Sequence, residues 1–358
     1  MNANIPATSR AIPLGRAQAS WNENLITIGL GLWLITGVFI DGFAHSNLRG
    51  TIESFFTPWH AILYAGFSVS ALWTMWLVFK QIRLGRTSLA AIPIGYELGL
   101  LGIAIFGLGG IGDMIWHSVF GIEVGNAALL SPSHLLLLCG GTLLVTSPLR
   151  SGWATLGYAP KFLEFLPVLL SSLAAFSFAT FFQLHAWGLT NVPDGNNYMN
   201  WVGGIRGSTT FNLASNFANM GILFSNVILL TPVLLLLRRW KTPFGTFTLL
   251  FTLNTIGMTV IGGSVNWQAV FAMAVAGLFA DGFVALYKPS CKRVLEFRAL
   301  AVVLPIIIWG GHFLVRHLRE GIALELEFWT GTIVMAAFTG LVLSVLVVPP
   351  TIANELEA

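Results

Sequence analysis

The chain has 358 residues, of which 55% are hydrophobic and only 9% charged, and its mean hydropathy is +0.78. Soluble domains carry about 25% charged residues, so a conventionally solvated surface is excluded. Two cysteines, Cys139 and Cys291, exclude a disulfide scaffold and a cysteine-rich metal cluster, and the net charge of +3 comes from so few charges that their placement matters more than their sum.

A helix needs about 20 apolar residues to cross the hydrocarbon core. The apolar runs predict ten such spans, near 25–45, 57–79, 96–119, 130–148, 163–189, 210–237, 243–262, 266–287, 299–316 and 327–348. The expected fold class is all-α, a polytopic membrane helical bundle of about 10 transmembrane helices. Residues 1–24 are polar and carry Arg10 and Arg16. No small-residue cleavage site follows a short apolar region, so they read as a cytoplasmic tail ahead of a retained signal anchor. Residues 25–348 are then the bundle and 349–358 a cytoplasmic C-tail. Fourteen of the eighteen Lys and Arg residues lie in the N-tail and in the loops after even-numbered spans. The positive-inside rule therefore puts both termini in the cytoplasm, as expected in a bacterial cytoplasmic membrane.

Spans 1–4 carry an internal repeat, with copies at about 25–80 and 96–150. Asp41-Gly-Phe-Ala-His45-Ser recurs as Asp113-Met-Ile-Trp-His117-Ser. A glutamate follows each, Glu53 or Glu123, and then a helix start, Thr57-Pro58-Trp59-His60 or Ser131-Pro132-Ser133-His134. Spans 1 and 3 run the same way, so the repeat is parallel.

Residues four apart share a helix face, which pairs Asp41 with His45 and Asp113 with His117. Thr57 and Ser131 are expected N-caps with proline at the first helical position, which places His60 and His134 in the first turn. Both hairpins turn on the outer side, where His185 and His312 also fall. His317, five residues after His312, points elsewhere. Asp41 and Asp113 lie near helix C-termini, where the macrodipole disfavours an anion, and an intramembrane carboxylate needs a cation. No Lys or Arg occurs between Arg86 and Arg150. The cation must be a protonated histidine, a distant arginine or a metal ion.

Histidine with carboxylate and no cysteine suits copper, iron or zinc over calcium or magnesium. Asp41, His45 and His60, and again Asp113, His117 and His134, form 2-His-1-carboxylate sets with open positions, able to hold one dinuclear centre or two mononuclear ones. Glu53 and Glu123 are candidate ligands or proton acceptors, and His185 and His312 candidate additional ligands. The order Asp-x3-His-x(n)-His, found twice, resembles the copper site in the C subunit of particulate methane and ammonia monooxygenases, over about twenty residues per copy. The resemblance implies copper at these six residues and oxygen chemistry on a lipophilic substrate. Two functions follow: a membrane oxidoreductase of small apolar or lipidic molecules, or a transporter in which the cluster relays metal or protons. Bis-histidine haem between His60 and His134 fits poorly beside carboxylates.

The remaining features read structurally. Asp281 repeats the Asp-Gly-Phe of Asp41 but lies near the inner end of its span, so pairing with Lys288 or another inner-face cation is expected. Gly107, Gly109 and Gly110 suit close helix packing. Asp194 to Asn197 reads as a turn in the longest outer loop, 191–209, whose Tyr198 and Trp201 are placed to cover the site as a lid. Membrane lipid is the expected surrounding partner, and no nucleotide or nucleic-acid motif occurs.

Overall fold

The structure, a computed structural model, describes residues 15–48, 55–121 and 125–350. Ten of its helices match the ten apolar runs. They are α1 (Trp21–Asn47), α2 (Pro58–Arg83), α3 (Glu97–Phe120), α4 (Pro132–Val145), α6 (Phe162–Phe182), α8 (Thr209–Arg239), α9 (Thr246–Val260), α10 (Trp267–Tyr287), α11 (Val294–Arg319) and α12 (Leu326–Val347). Two short ones, α5 (Ser147–Thr155) and α7 (Asn196–Trp201), lie between them. Among the described residues there is no β-strand, and nine stretches are long and apolar enough to cross a membrane, with α4 and α5 counted together. The protein is an integral-membrane type of helical protein.

The seventh expected span, 243–262, forms only the fifteen-residue α9. At 1.5 Å per residue that is about 22 Å, short of the roughly 30 Å hydrocarbon core. The fifth also ends early. α6 stops at Phe182, a 3₁₀ turn follows at Leu184–Ala186, and the Gly188 amide then donates to Ser225 Oγ on α8 at 2.8 Å. α1, by contrast, begins four residues before its apolar run. Ser20 and Glu23 form a capping box, with Ser20 Oγ accepting from the Glu23 amide and the Glu23 carboxylate from the Ser20 amide. The expected caps of α2 and α4 are present. Thr57 Oγ1 accepts from the His60 amide at 3.2 Å and Ser131 Oγ from the His134 amide at 3.5 Å.

The chain folds as two compact units. The first holds α1–α5 and most of α6, the second α7–α12. In the first unit α1 packs on α2 and α3 on α4. Glycines set how closely they approach. A Cβ on Gly37 would lie 2.6 Å from Leu63 Cα, and one on Gly66 would lie 2.8 Å from Leu34 Cα. At the matching positions of the α3–α4 pair, Gly109 lies against the Leu137 backbone and Gly140 against the Phe106 backbone. Gly37 and Gly109 each sit one helical turn before an aspartate, and Gly66 and Gly140 each follow a histidine by six residues. The contacts that draw each pair of helices together therefore lie directly beneath its Asp and His side chains.

In the second unit Asp281 on α10 has a different partner from the expected lysine. Its carboxylate accepts from the amides of Phe247 at 3.1 Å and Thr248 at 2.9 Å, and from the Thr248 hydroxyl at 2.7 Å. These groups are at the N-terminus of α9, whose own cap residue, Gly245, has no side chain to offer. An anion here is favoured by the orphan amides and the macrodipole together. The cation that Asp281 needs is the end of a helix.

Candidate metal centre

Asp41 and His45 occupy the last two turns of α1, and His60 the first turn of α2. Asp41 Oδ2 lies 3.8 Å from His45 Nε2, and Asp41 Oδ1 lies 3.5 Å from His60 Nε2. Asp113 and His117 end α3, and His134 begins α4. Asp113 Oδ1 lies 3.4 Å from His117 Nε2 and 3.0 Å from His134 Nε2. The two groups adjoin one another. Ring centroids are 5.8 Å apart from His45 to His60, 5.9 Å from His60 to His117 and 5.9 Å from His117 to His134. Two sets of ligand atoms close within 4.8 Å, one of Asp41, His45 and His60 and one of His60, Asp113 and His117, so His60 belongs to both.

The outer edge of each ring fixes what its inner edge does. His60 Nδ1 faces the Phe55 carbonyl at 2.7 Å, His117 Nδ1 the Gly121 carbonyl at 3.3 Å, and His134 Nδ1 the Ala128 carbonyl. A carbonyl only accepts, so each Nδ1 carries the hydrogen, and in the neutral ring Nε2 is left with its lone pair. Those lone pairs point at carboxylate oxygens, which are also acceptors. Two acceptors at 3.0–3.5 Å repel unless a cation lies between them. Among the described residues neither aspartate pairs with Lys or Arg. Asp41 Oδ1 and His117 Nε2 are buried with no hydrogen-bond partner of acceptable geometry. Among the described residues, the cation that remains is a proton on the imidazole or a metal ion.

Two further side chains hold Asp113. Tyr64 OH donates to Oδ2 at 2.9 Å, linking α2 to α3, and Ser133 Oγ lies 3.4 Å from Oδ1. Tyr64 was not expected from the sequence. The usable signal is that it follows His60 by four residues on the same face of α2, but its counterpart in the second copy is Leu138, so the repeat does not point to it. Phe55 stacks on the His60 ring at 4.8 Å.

Beside this cluster a groove of about 690 Å³ opens between α2 and α3. Phe56, Phe67, Phe106, Ile111 and Met114 make it apolar, and His60 and Tyr64 line it as well. Gly107 faces open space there, while Gly110 gives room to the Tyr64 ring and Gly109 is the one pressed against α4.

Other candidates lie elsewhere. Glu53 and Glu123 fall outside the described residues. His312 is in the second unit, where its Nε2 contacts Asp194, a wholly buried carboxylate that also pairs with Arg316 Nε at 3.0 Å. Arg316 continues to Glu320, whose other oxygen accepts from the Asn197 amide. His312 is thus part of an ion-pair network that ties the expected 194–197 turn to α11. His185 lies on a short 3₁₀ turn in the same unit, and among the described residues neither histidine belongs to a set within metal-ligand reach. The long loop contains α7, in which Tyr198 and Trp201 pack on each other at 5.6 Å.

Comparison of the chain with protein-family models, with curated proteins and with solved structures finds no match. The likeness to the monooxygenase C subunit therefore rests on the two Asp-x3-His motifs and the histidines that complete them.

Proposed function

We propose that this protein is a membrane metalloenzyme, an oxidoreductase that acts on a small apolar or lipidic molecule at a transition-metal site made by Asp41, His45, His60, Asp113, His117 and His134. The observation that carries this reading is the set of Nε2 lone pairs aimed at carboxylates with no lysine or arginine paired to those carboxylates among the described residues. Carbonyl-anchored Nδ1 groups are the usual device for turning a histidine's other nitrogen toward a metal. The all-nitrogen-and-oxygen donor set suits copper, iron or zinc, and the likeness to the monooxygenase C subunit favours copper among them. Such an ion would supply Lewis acidity and, for copper or iron, redox chemistry.

The chain's own part is to bind and exclude. The groove between α2 and α3 is within the 300–1,000 Å³ range of small-molecule sites, and its wall is apolar except where His60 and Tyr64 meet it. An uncharged substrate arriving from the lipid would reach the cluster on that side. In our reading the membrane is a bacterial cytoplasmic one, α9 with its flanking non-helical residues completes the ten crossings, both termini are cytoplasmic and the cluster faces outward.

Protein purified without chelator is expected to retain one or two transition-metal ions per chain, with a copper(II) or iron EPR signal showing nitrogen hyperfine structure. A folded, fully stable protein free of metal, and unable to bind added Cu²⁺, Fe²⁺ or Zn²⁺, would show that protons bridge these groups and would overturn the reading.

A further inference from the structure

The two triads differ in ways that matter for affinity, and we propose that they form a two-ion centre of unequal halves: a closed, tightly held ion at Asp113, His117 and His134, and an open, exchangeable ion at Asp41 and His45. This rests on the metalloprotein reading above.

Burial is the first difference. The side chains of Asp113 and His117 are 2% and 1% exposed, whereas those of Asp41 and His45 are 15% and 23% exposed. The histidines from the facing helices run the other way, His60 at 4% and His134 at 19%, but each of those is fixed by a carbonyl on its Nδ1. Support of the carboxylate is the second difference. Asp113 is held on one oxygen by the Tyr64 hydroxyl and approached on the other by that of Ser133, while Asp41 Oδ1 has no hydrogen-bond partner. Groups that orient a ligand in this way are worth about 10–100-fold in metal affinity. Spacing is the third. Nε2 to carboxylate distances are 3.0 and 3.4 Å around Asp113 but 3.5 and 3.8 Å around Asp41, so the Asp113 carboxylate is the more closely approached by its histidines, and the set within mutual ligand reach there is His60, Asp113 and His117 with His134 beside it.

His60 makes the halves interdependent. With Nδ1 committed to Phe55, it has one free nitrogen, yet it lies within ligand reach of both sets. That nitrogen can bind one ion at a time. Whichever ion takes it leaves the other with one protein ligand fewer, and the Asp41 side, with His45 besides among the described residues, is the one left more open. Charge acts in the same direction. Among the described residues one divalent ion balances the two aspartates, so a second enters against less negative charge. Open coordination next to the groove is where a reacting molecule would bind.

Titration of Cu²⁺ into the full-length protein, depleted of metal and held in detergent or nanodiscs, tests this by EPR and equilibrium dialysis. Two ions are expected, bound in two steps at least tenfold apart, with a chelator of graded strength removing the second-bound ion first. Asp41→Asn should abolish the weaker step and leave the tighter one, and Tyr64→Phe should weaken the tighter step 10–100-fold without moving the weaker. Two equal steps, loss of the tighter step in Asp41→Asn, or a Tyr64→Phe profile like wild type would overturn the inequality. A single ion per chain would overturn the two-ion centre while leaving the metalloprotein reading intact, and no copper, iron or zinc bound at all would sink both. The wild-type titration and the conservative Tyr64→Phe variant decide the question even if Asp41→Asn does not fold.

Discussion

Asp113 and Asp281 are both buried aspartates in hydrophobic helices, and their neighbours divide them. Asp113 faces two imidazole nitrogens and two hydroxyls, all from side chains, and Asp281 faces two backbone amides and one hydroxyl at the start of α9. Asn at 113 keeps the shape and loses the charge that offsets a cation. Asp113→Asn should therefore cost metal affinity tenfold or more, about 1.4 kcal/mol, with little change in the stability of the metal-free protein. Asp281→Ala leaves buried amides without an acceptor, and it should cost roughly 1–3 kcal/mol of stability with metal content unchanged. Thermal unfolding of the metal-free variants, alongside metal analysis, separates the two. If Asp281→Ala lost as much metal as Asp113→Asn, the assignment of the cap would be wrong. The sequence shows that each aspartate needs a compensating cation, but not that one of them finds it in a helix end thirty-four residues back along the chain.

Between elements, the close approach of α1 to α2 and of α3 to α4 depends on missing side chains. Gly140→Leu would push a branched side chain into the Phe106 backbone, and it is expected to cost at least about 1–3 kcal/mol and to displace His134, one and a half turns away, with loss of bound metal. Gly107→Leu enters open space in the groove instead. It should leave fold and metal content as they are while reducing the binding of an apolar probe, such as a spin-labelled alkyl chain, measured by its broadening of the metal EPR signal. Unchanged probe binding in Gly107→Leu would remove the groove from the functional reading. At this scale much was legible beforehand, because the signals are local. Apolar runs located the helices, and Thr57-Pro58 and Ser131-Pro132 gave the starts of α2 and α4. What escaped is set by tertiary contact. α6 ends where the chain must reach Ser225, α9 is cut short and capped by another helix, and Tyr64 joins the site through a hydrogen bond to a residue forty-nine positions away.

For the molecule as a whole, the two triads were recognisable because their residues repeat in order, whereas their union through His60 depends on how the two hairpins pack. Orientation in the membrane follows the distribution of Lys and Arg. Lys80, Arg83 and Arg86 follow α2, Arg238, Arg239 and Lys241 close α8, and Lys288, Lys292 and Arg293 lie between α10 and α11. Retaining these groups on the cytoplasmic side is favoured by the positive-inside rule, and it carries the α1–α2 and α3–α4 turns, and the cluster with them, to the opposite face. In cells, a single cysteine introduced at Asn126, in a background with Cys139 and Cys291 replaced by serine, should react with a membrane-impermeant maleimide added outside. One introduced at Arg239 should react only after permeabilisation. The reverse pattern would place the Asp and His residues at the cytoplasmic face, where metal and reductant come from the cell interior. A site for oxygen chemistry on the outer surface would then have to be abandoned, even with every ligand in place.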